Sequence, residues 1–184
     1  MRLFVAVDPS DAARALLANA VARGRAVAPG SKWVAAENLH LTLFFLGHVD
    51  DDALVPIPDA LARAAARHAA FDVAFEGAGT FGRRRAPSVL WVGVRAGAAE
   101  LKALQTDVAA ELVALGHAAE EREYAPHLTL ARARDRHGDV DLAAAQGDLD
   151  AAYGRSRVTE IVLYRSDATP SGTRYTAVAR APLG

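Results

Sequence analysis

A mixed α+β fold, mostly antiparallel sheet with flanking helices and divided into two similar halves, is predicted by three features of this 184-residue sequence. Segments of strand and helix character interleave from one end to the other. Several strand segments are joined by loops too short for the helical crossover that parallel neighbours need. The tetrapeptide His-Leu-Thr-Leu occurs at residues 40–43 and again at 127–130, 87 residues on, and strand, helix, strand recurs around each copy.

The first strand is read at Leu3–Val7, an apolar run stopped by Asp8-Pro9. Ser10 offers an N-cap to an alanine-rich helix from Asp11 to about Val27, which Pro29-Gly30 closes. Leu39–Leu46 is apolar apart from His40 and Thr42 and reads as a strand with its polar residues on one face. A helix is expected over Asp50–Ala70, with Pro56 and Pro58 held in its first turn or delaying its start. Phe71–Phe75 and Ser88–Arg95 have strand character, and the glycines and Arg83-Arg84-Arg85 between them read as a loop. Leu101, Leu104, Val108, Leu112 and Leu115 line one face of a helix that Gly116 terminates. Beyond it come a strand at His127–Ala133, a short helix at Asp141–Ala152, and strands at Val158–Tyr164 and Tyr175–Ala179.

Composition narrows the function. With 52% hydrophobic and 23% charged residues the chain has ordinary globular usage and should fold on its own. It has no cysteine, which excludes disulfides, thiolate metal sites and a cysteine nucleophile. The opening apolar run is too short for a signal peptide and no stretch is long enough to span a bilayer, so a cytoplasmic protein without membrane contact is expected. A net charge of -1 means that any polyanion must be gripped locally, with Arg83–Arg85 or the series Arg132, Arg134, Arg136 as the available cations. His48, His68, His117 and His137 have no repeat partner, form no metal-ligand spacing, and are expected at the surface; no metal and no cofactor is expected.

The repeated motif carries the chemistry. Residues i and i+2 of a strand share a face, so His40 travels with Thr42 and His127 with Thr129, while Leu41, Leu43, Leu128 and Leu130 point into the core. One such pair is easily explained by packing, since threonine is a good strand former. Two identical pairs are not. Displacement at phosphorus needs a base for the incoming oxygen and an acid for the leaving oxygen on the opposite side, and two imidazoles supply both near neutral pH. Threonine hydroxyls one strand step away can donate hydrogen bonds to the non-bridging oxygens as charge builds. Strand parity also puts Phe44 on the face of His40 and Thr42, where it is expected to stack on a terminal base. Trp33 and Trp91 are read as core or cleft-wall residues.

These motifs, together with Arg2-Leu3-Phe4-Val5-Ala6-Val7, the stretch Trp33–Gly47 and Pro126–Arg132, resemble the 2H phosphoesterase superfamily, essentially end to end. The likeness is strongest to the bacterial and archaeal RNA 2',3'-cyclic phosphodiesterases once named 2'-5' RNA ligases. The resemblance implies one bilobal domain over residues 1–184, with one motif per lobe facing a central cleft across a pseudo-twofold axis. It implies that His40 donates a proton to the leaving 3' oxygen, that His127 activates water as proton acceptor, and that a 2'-phosphate remains. Arg132, five residues beyond His127, resembles an arginine that clamps phosphate in these enzymes, although strict alternation puts it on the opposite face unless the strand bulges. The expected partner is RNA with a 2',3'-cyclic phosphate end, tRNA fragments and nucleotides included, acted on by a monomer. Ligation as the main activity and a non-catalytic RNA-end-binding module are the alternatives.

Overall fold

The computed structural model describes residues 1–170 and 172–184. Its strands are β1 (Arg2–Val7), β2 (Lys32–Trp33), β3 (Leu41–His48), β4 (Phe71–Arg83), β5 (Ala86–Val94), β6 (His127–Arg132), β7 (Ala152–Val158), β8 (Glu160–Thr169) and β9 (Gly172–Pro182). Its α-helices are α1 (Asp11–Val27), α2 (Asp51–Leu54), α3 (Ile57–Ala65), α4 (Ala98–Ala114) and α5 (Val140–Asp148).

Among the described residues the strands form one antiparallel sheet in the order β7-β4-β5-β6-β3-β1-β8-β9, with β2 also paired to β6. The order reads as two four-strand halves meeting at β6 and β3. Helices α1 and α5 cover the half containing β7, β4 and β5, and α3 and α4 cover the half containing β3, β8 and β9. The predicted α+β class with two related halves is what the chain adopts. The junction is held by Leu41 opposite Leu128, both fully buried. Each of these leucines contributes about 1.5 to 3 kcal/mol by leaving water.

Most elements follow from local signals. The Ser10 side chain accepts a hydrogen bond from the Ala13 N–H and starts α1. Gly116 takes φ +92° just past α4, the left-handed conformation that ends a helix without a Cβ penalty. Other expectations are corrected. The single helix expected over Asp50–Ala70 is two, α2 and α3, because Pro56 has no N–H to give and its ring crowds the preceding turn. The segment read as a loop before Arg83 is continuous strand. Gly77, at φ +82°, absorbs a register shift between Phe75 and Ala78, and the turn is confined to Arg84-Arg85. The helix expected to reach Ala152 ends at Asp148, and β7 follows as a strand paired with β4. His68 is only partly exposed and bonds Asp107 at 2.7 Å instead of standing free at the surface. Among the described residues no helix is long and apolar enough to cross a membrane.

Candidate active site

Both copies of the motif stand where the two halves meet. On either side of the Leu41–Leu128 pair, antiparallel register sets His40 and Thr42 on one strand beside Thr129 and His127 on the other. The leucines face the core, so the four polar side chains share the opposite, partly exposed face.

The two imidazoles are oriented in the same way. His40 Nδ1 lies 2.6 Å from the Asn38 carbonyl oxygen, and His127 Nδ1 lies 2.7 Å from that of Ala125. A carbonyl can only accept, so Nδ1 carries the proton and Nε2 is the working nitrogen on each ring. Asn38 and Ala125 are themselves 87 residues apart, so the orienting contact repeats with the motif. His40 Nε2 is 3.0 Å from Thr42 Oγ1. Among the described residues the Thr129 hydroxyl makes no hydrogen bond and is free for a ligand.

The surroundings differ. His40 sits in an aromatic cluster, 4.8 Å from the Phe4 ring and 5.3 Å edge-on to Tyr175, beside a cavity of about 120 Å³ lined also by Asp8, Asn38 and Tyr164. Asp8 accepts from the Tyr164 hydroxyl at 2.7 Å and lies 3.8 Å from Arg14, whose guanidinium bonds the carbonyls of Ala36 and Leu39 and so fixes the turn that leads to His40. His127 is edge-on to Phe81 at 4.9 Å and 6.2 Å from Trp91.

Burial is the main cause holding both imidazoles below their ordinary pKa. On His40 the Asn38 carbonyl and the Asp8 carboxylate oppose it, while Arg14 and Arg132 add to it. On His127 the Ala125 carbonyl and Glu120 oppose burial and Arg132 adds to it. Arg132 therefore lies within electrostatic reach of both rings.

Alternation fails after each threonine, with direct consequences for two predicted residues. The β1–β3 register runs Ala6↔Thr42 and then Val5↔Phe44, so Leu43 is an extra residue. The β5–β6 register runs Trp91↔Thr129 and then Leu90↔Ala131, so Leu130 is the equivalent extra residue. A bulge of this kind inverts the faces beyond it. Arg132 is thereby returned to the face of His127 and Thr129, and is exposed. For Phe44 the same inversion is a correction: it is a core residue at 5% exposure, and Phe45, at 48%, is the exposed phenylalanine of the pair.

This division predicts opposite phenotypes. Phe44→Ala should lower the stability of the fold by about 3 kcal/mol, read from denaturant midpoints. Phe45→Ala should leave that midpoint unchanged and raise KM about tenfold, the lower part of the range for a lost stacking contact.

Phe45 and Arg132 lie at the repeat offset of 87 residues. Carrying the internal alignment two residues past each motif would have paired them. Asp8, Tyr164 and Tyr175 had no such signal, because they come from the end of β1 and from β8 and β9, whose placement relative to His40 is set by topology. Trp33 and Trp91 are both partly exposed: Trp33 packs against the core with its indole N–H on the Ala28 carbonyl, and Trp91 lies beside His127. Among the described residues no group of three or more His, Cys, Asp or Glu side chains is placed to hold a metal ion.

Comparison with known proteins agrees with this architecture. Residues 7–170 match the 2'-5' RNA ligase superfamily. An RNA 2',3'-cyclic phosphodiesterase of Methanothermobacter thermautotrophicus is 33% identical over 177 residues, covering 96% of this chain and 95% of the relative. One from Geobacillus stearothermophilus is 36% identical over 182 residues, 98% of this chain, and the match spans only 56% of that longer relative. Among solved structures, a protein of Thermus thermophilus superposes with TM-score 0.81 at 27% identity, over 100% of this chain and 98% of its own. E. coli LigT complexed with 3'-AMP superposes with TM-score 0.72 at 29% identity, over 99% and 97% of the two chains. With the family matched over most of its length and the motif repeated in corresponding strands, the chain belongs to the 2'-5' RNA ligase superfamily, the 2H phosphoesterases.

Proposed function

We propose that the protein hydrolyses RNA 2',3'-cyclic phosphate ends to 2'-phosphomonoesters by metal-independent acid and base catalysis from two histidines. The observation that carries this reading is the duplicated arrangement itself. Each imidazole has Nδ1 tied to a backbone carbonyl two residues earlier and presents Nε2 on a face shared with two threonines and Arg132. His127 Nε2 takes a proton from water as the water oxygen bonds to phosphorus. The P–O3' bond breaks on the far side, and the Nε2 proton of His40 passes to O3', leaving a 3'-hydroxyl and a 2'-phosphate. Thr42, Thr129 and Arg132 hold the non-bridging oxygens, and Phe45 offers a face to the terminal base.

Asp8, anchored by Tyr164 and Arg14, opposes the burial that holds His40 below its ordinary pKa, as Glu120 does at His127, so the direction of proton transfer is taken from the family resemblance. Relatives of this chain are named RNA 2',3'-cyclic phosphodiesterases, and the substrate class is taken from them. A single domain over residues 1–184, acting as a monomer in the cytoplasm, completes the reading.

Product analysis on a cyclic-phosphate-ended oligoribonucleotide with EDTA present tests it. The expected product is a 2'-phosphate, formed at the same rate with and without chelator; a 3'-phosphate, or loss of turnover in EDTA, would contradict the proposal. The superfamily's ligase name gives one reason to look also for a 2'-5' linked product. A 5'-hydroxyl can replace water at the same phosphorus, and the large excess of water makes ligation the minor outcome.

The pH dependence follows from burial. Activity needs one imidazole protonated and one neutral, and both are shifted below the ordinary value of about 6.5. In the free enzyme the productive form therefore peaks below that pH. Above it, kcat/KM should fall with pH, approaching tenfold per unit. Bound phosphate adds negative charge beside both rings and raises their proton affinity, so the bell in kcat should lie at higher pH than the bell in kcat/KM. Coincident bells, measured with chemistry rate-limiting, would count against this.

A further inference from the structure

The β4–β5 hairpin carries the largest uncommitted charge beside the groove. Phe81, 38% exposed, lies against His127, and cross-strand pairing runs from Phe81 through Val89 to Arg132 on the same face. Beyond Phe81 come Gly82 and then Arg83, Arg84 and Arg85, all exposed. Among the described residues none of the three makes an ion pair or hydrogen bond, and residues 82–88 include no acid. Asp139, whose backbone N–H bonds the Pro87 carbonyl, has its carboxylate committed to Ser31 and to the Asp141 N–H. The opposite rim, at the β8–β9 hairpin, is different: Arg165 is paired with Asp167 at 2.9 Å, which leaves Arg174.

We propose that this hairpin is the track along which the RNA strand leaves the groove 5' of the reacting nucleotide, its phosphates meeting Arg83, Arg84 and Arg85. The inference rests on the proposed function and extends it to substrate length. A 2',3'-cyclic phosphate stands at a 3' end, so the rest of the strand can lead away only in the 5' direction. Three successive arginines on a strand end and turn spread their charge over about 7 to 10 Å. That spacing fits a chain of phosphates better than one small anion, and the chain's overall charge of -1 gives no other general attraction for a polyanion.

The test compares the full chain with the triple variant Arg83→Gln, Arg84→Gln, Arg85→Gln on two substrates, a cyclic-phosphate-ended oligoribonucleotide of about ten nucleotides and a 2',3'-cyclic mononucleotide. Three phosphate contacts on a single strand correspond to a salt slope of about -2, or about 20-fold between about 50 and 200 mM salt. The parent should therefore prefer the oligonucleotide at low salt and lose that preference over this range. The triple variant should lack the preference throughout while turning over the mononucleotide at the parent rate.

Equal loss on both substrates, or a preference that survives in the triple variant, would overturn the track. A parent that prefers neither substrate would do the same. If the triple variant does not fold, Arg84→Glu at the turn should reduce the preference by itself, and an unchanged preference there is equally fatal. Should the parent turn over neither substrate, the proposed function fails separately. Binding of a 3'-phosphorylated oligonucleotide, read by fluorescence anisotropy in parent and variant, then decides the track alone.

Discussion

Alanine in place of either His40 or His127 should lower kcat about 10³-fold or more, and replacing both should lower it little further. In the proposed mechanism the two rings serve one displacement, so losing either should remove concerted proton transfer and leave the second substitution little to remove. The roles separate with a better leaving group. On a phosphodiester that expels a phenolate, departure needs no proton, so His40→Ala should recover most of the parent rate. His127→Ala should stay impaired, because water still lacks a base. Recovery of His127→Ala alone would reverse the two roles. Comparable losses with both substrates for both variants would indicate that the rings merely hold the groove together, a real concern for His40, which packs on Phe4 and Tyr175.

The sequence carried the motif and its pairing, because a repeated tetrapeptide on strands is a local pattern with a fixed period. It carried most helices for the same reason: Ser10, Gly116 and the leucine stripe of α4 act within a turn or two of where they stand. Strict alternation failed at Leu43 and Leu130. A bulge depends on which residue of the neighbouring strand lies opposite, and β1 and β5 are distant in sequence from β3 and β6, the strands that bulge against them. One failure moved Phe44 into the core and the other brought Arg132 back to the site. Both came from the same cause at the same point of the repeat.

Topology hid the asymmetry of the site more completely. Asp8 and Tyr164 are 156 residues apart and bond at 2.7 Å because β1 lies between β3 and β8. Nothing near Asp8 in sequence distinguishes it from a strand-ending aspartate before a proline. Its effect on His40 depends on burial, which weakens solvent screening around the ring.

Thr129→Val should lower kcat about 10²-fold while leaving stability nearly unchanged. Valine is close to threonine in shape and at least as good a strand former, so the strand itself gives no reason for a penalty. The Thr129 hydroxyl has no hydrogen-bond partner among the described residues, so its loss breaks no contact in the free protein. A donor with nothing to bond until charge develops on phosphate oxygen contributes to the transition state and little to the fold. Thr42→Val differs, since Thr42 Oγ1 already meets His40 Nε2 at 3.0 Å. Its loss should cost a similar factor in kcat and also change the pH dependence, because the ring it touches is the proposed acid. Unfolding midpoints measured beside kcat separate the two readings of these threonines. A Thr129→Val variant with the parent's kcat would make Thr129 a packing residue and leave Arg132 and Thr42 to hold the phosphate.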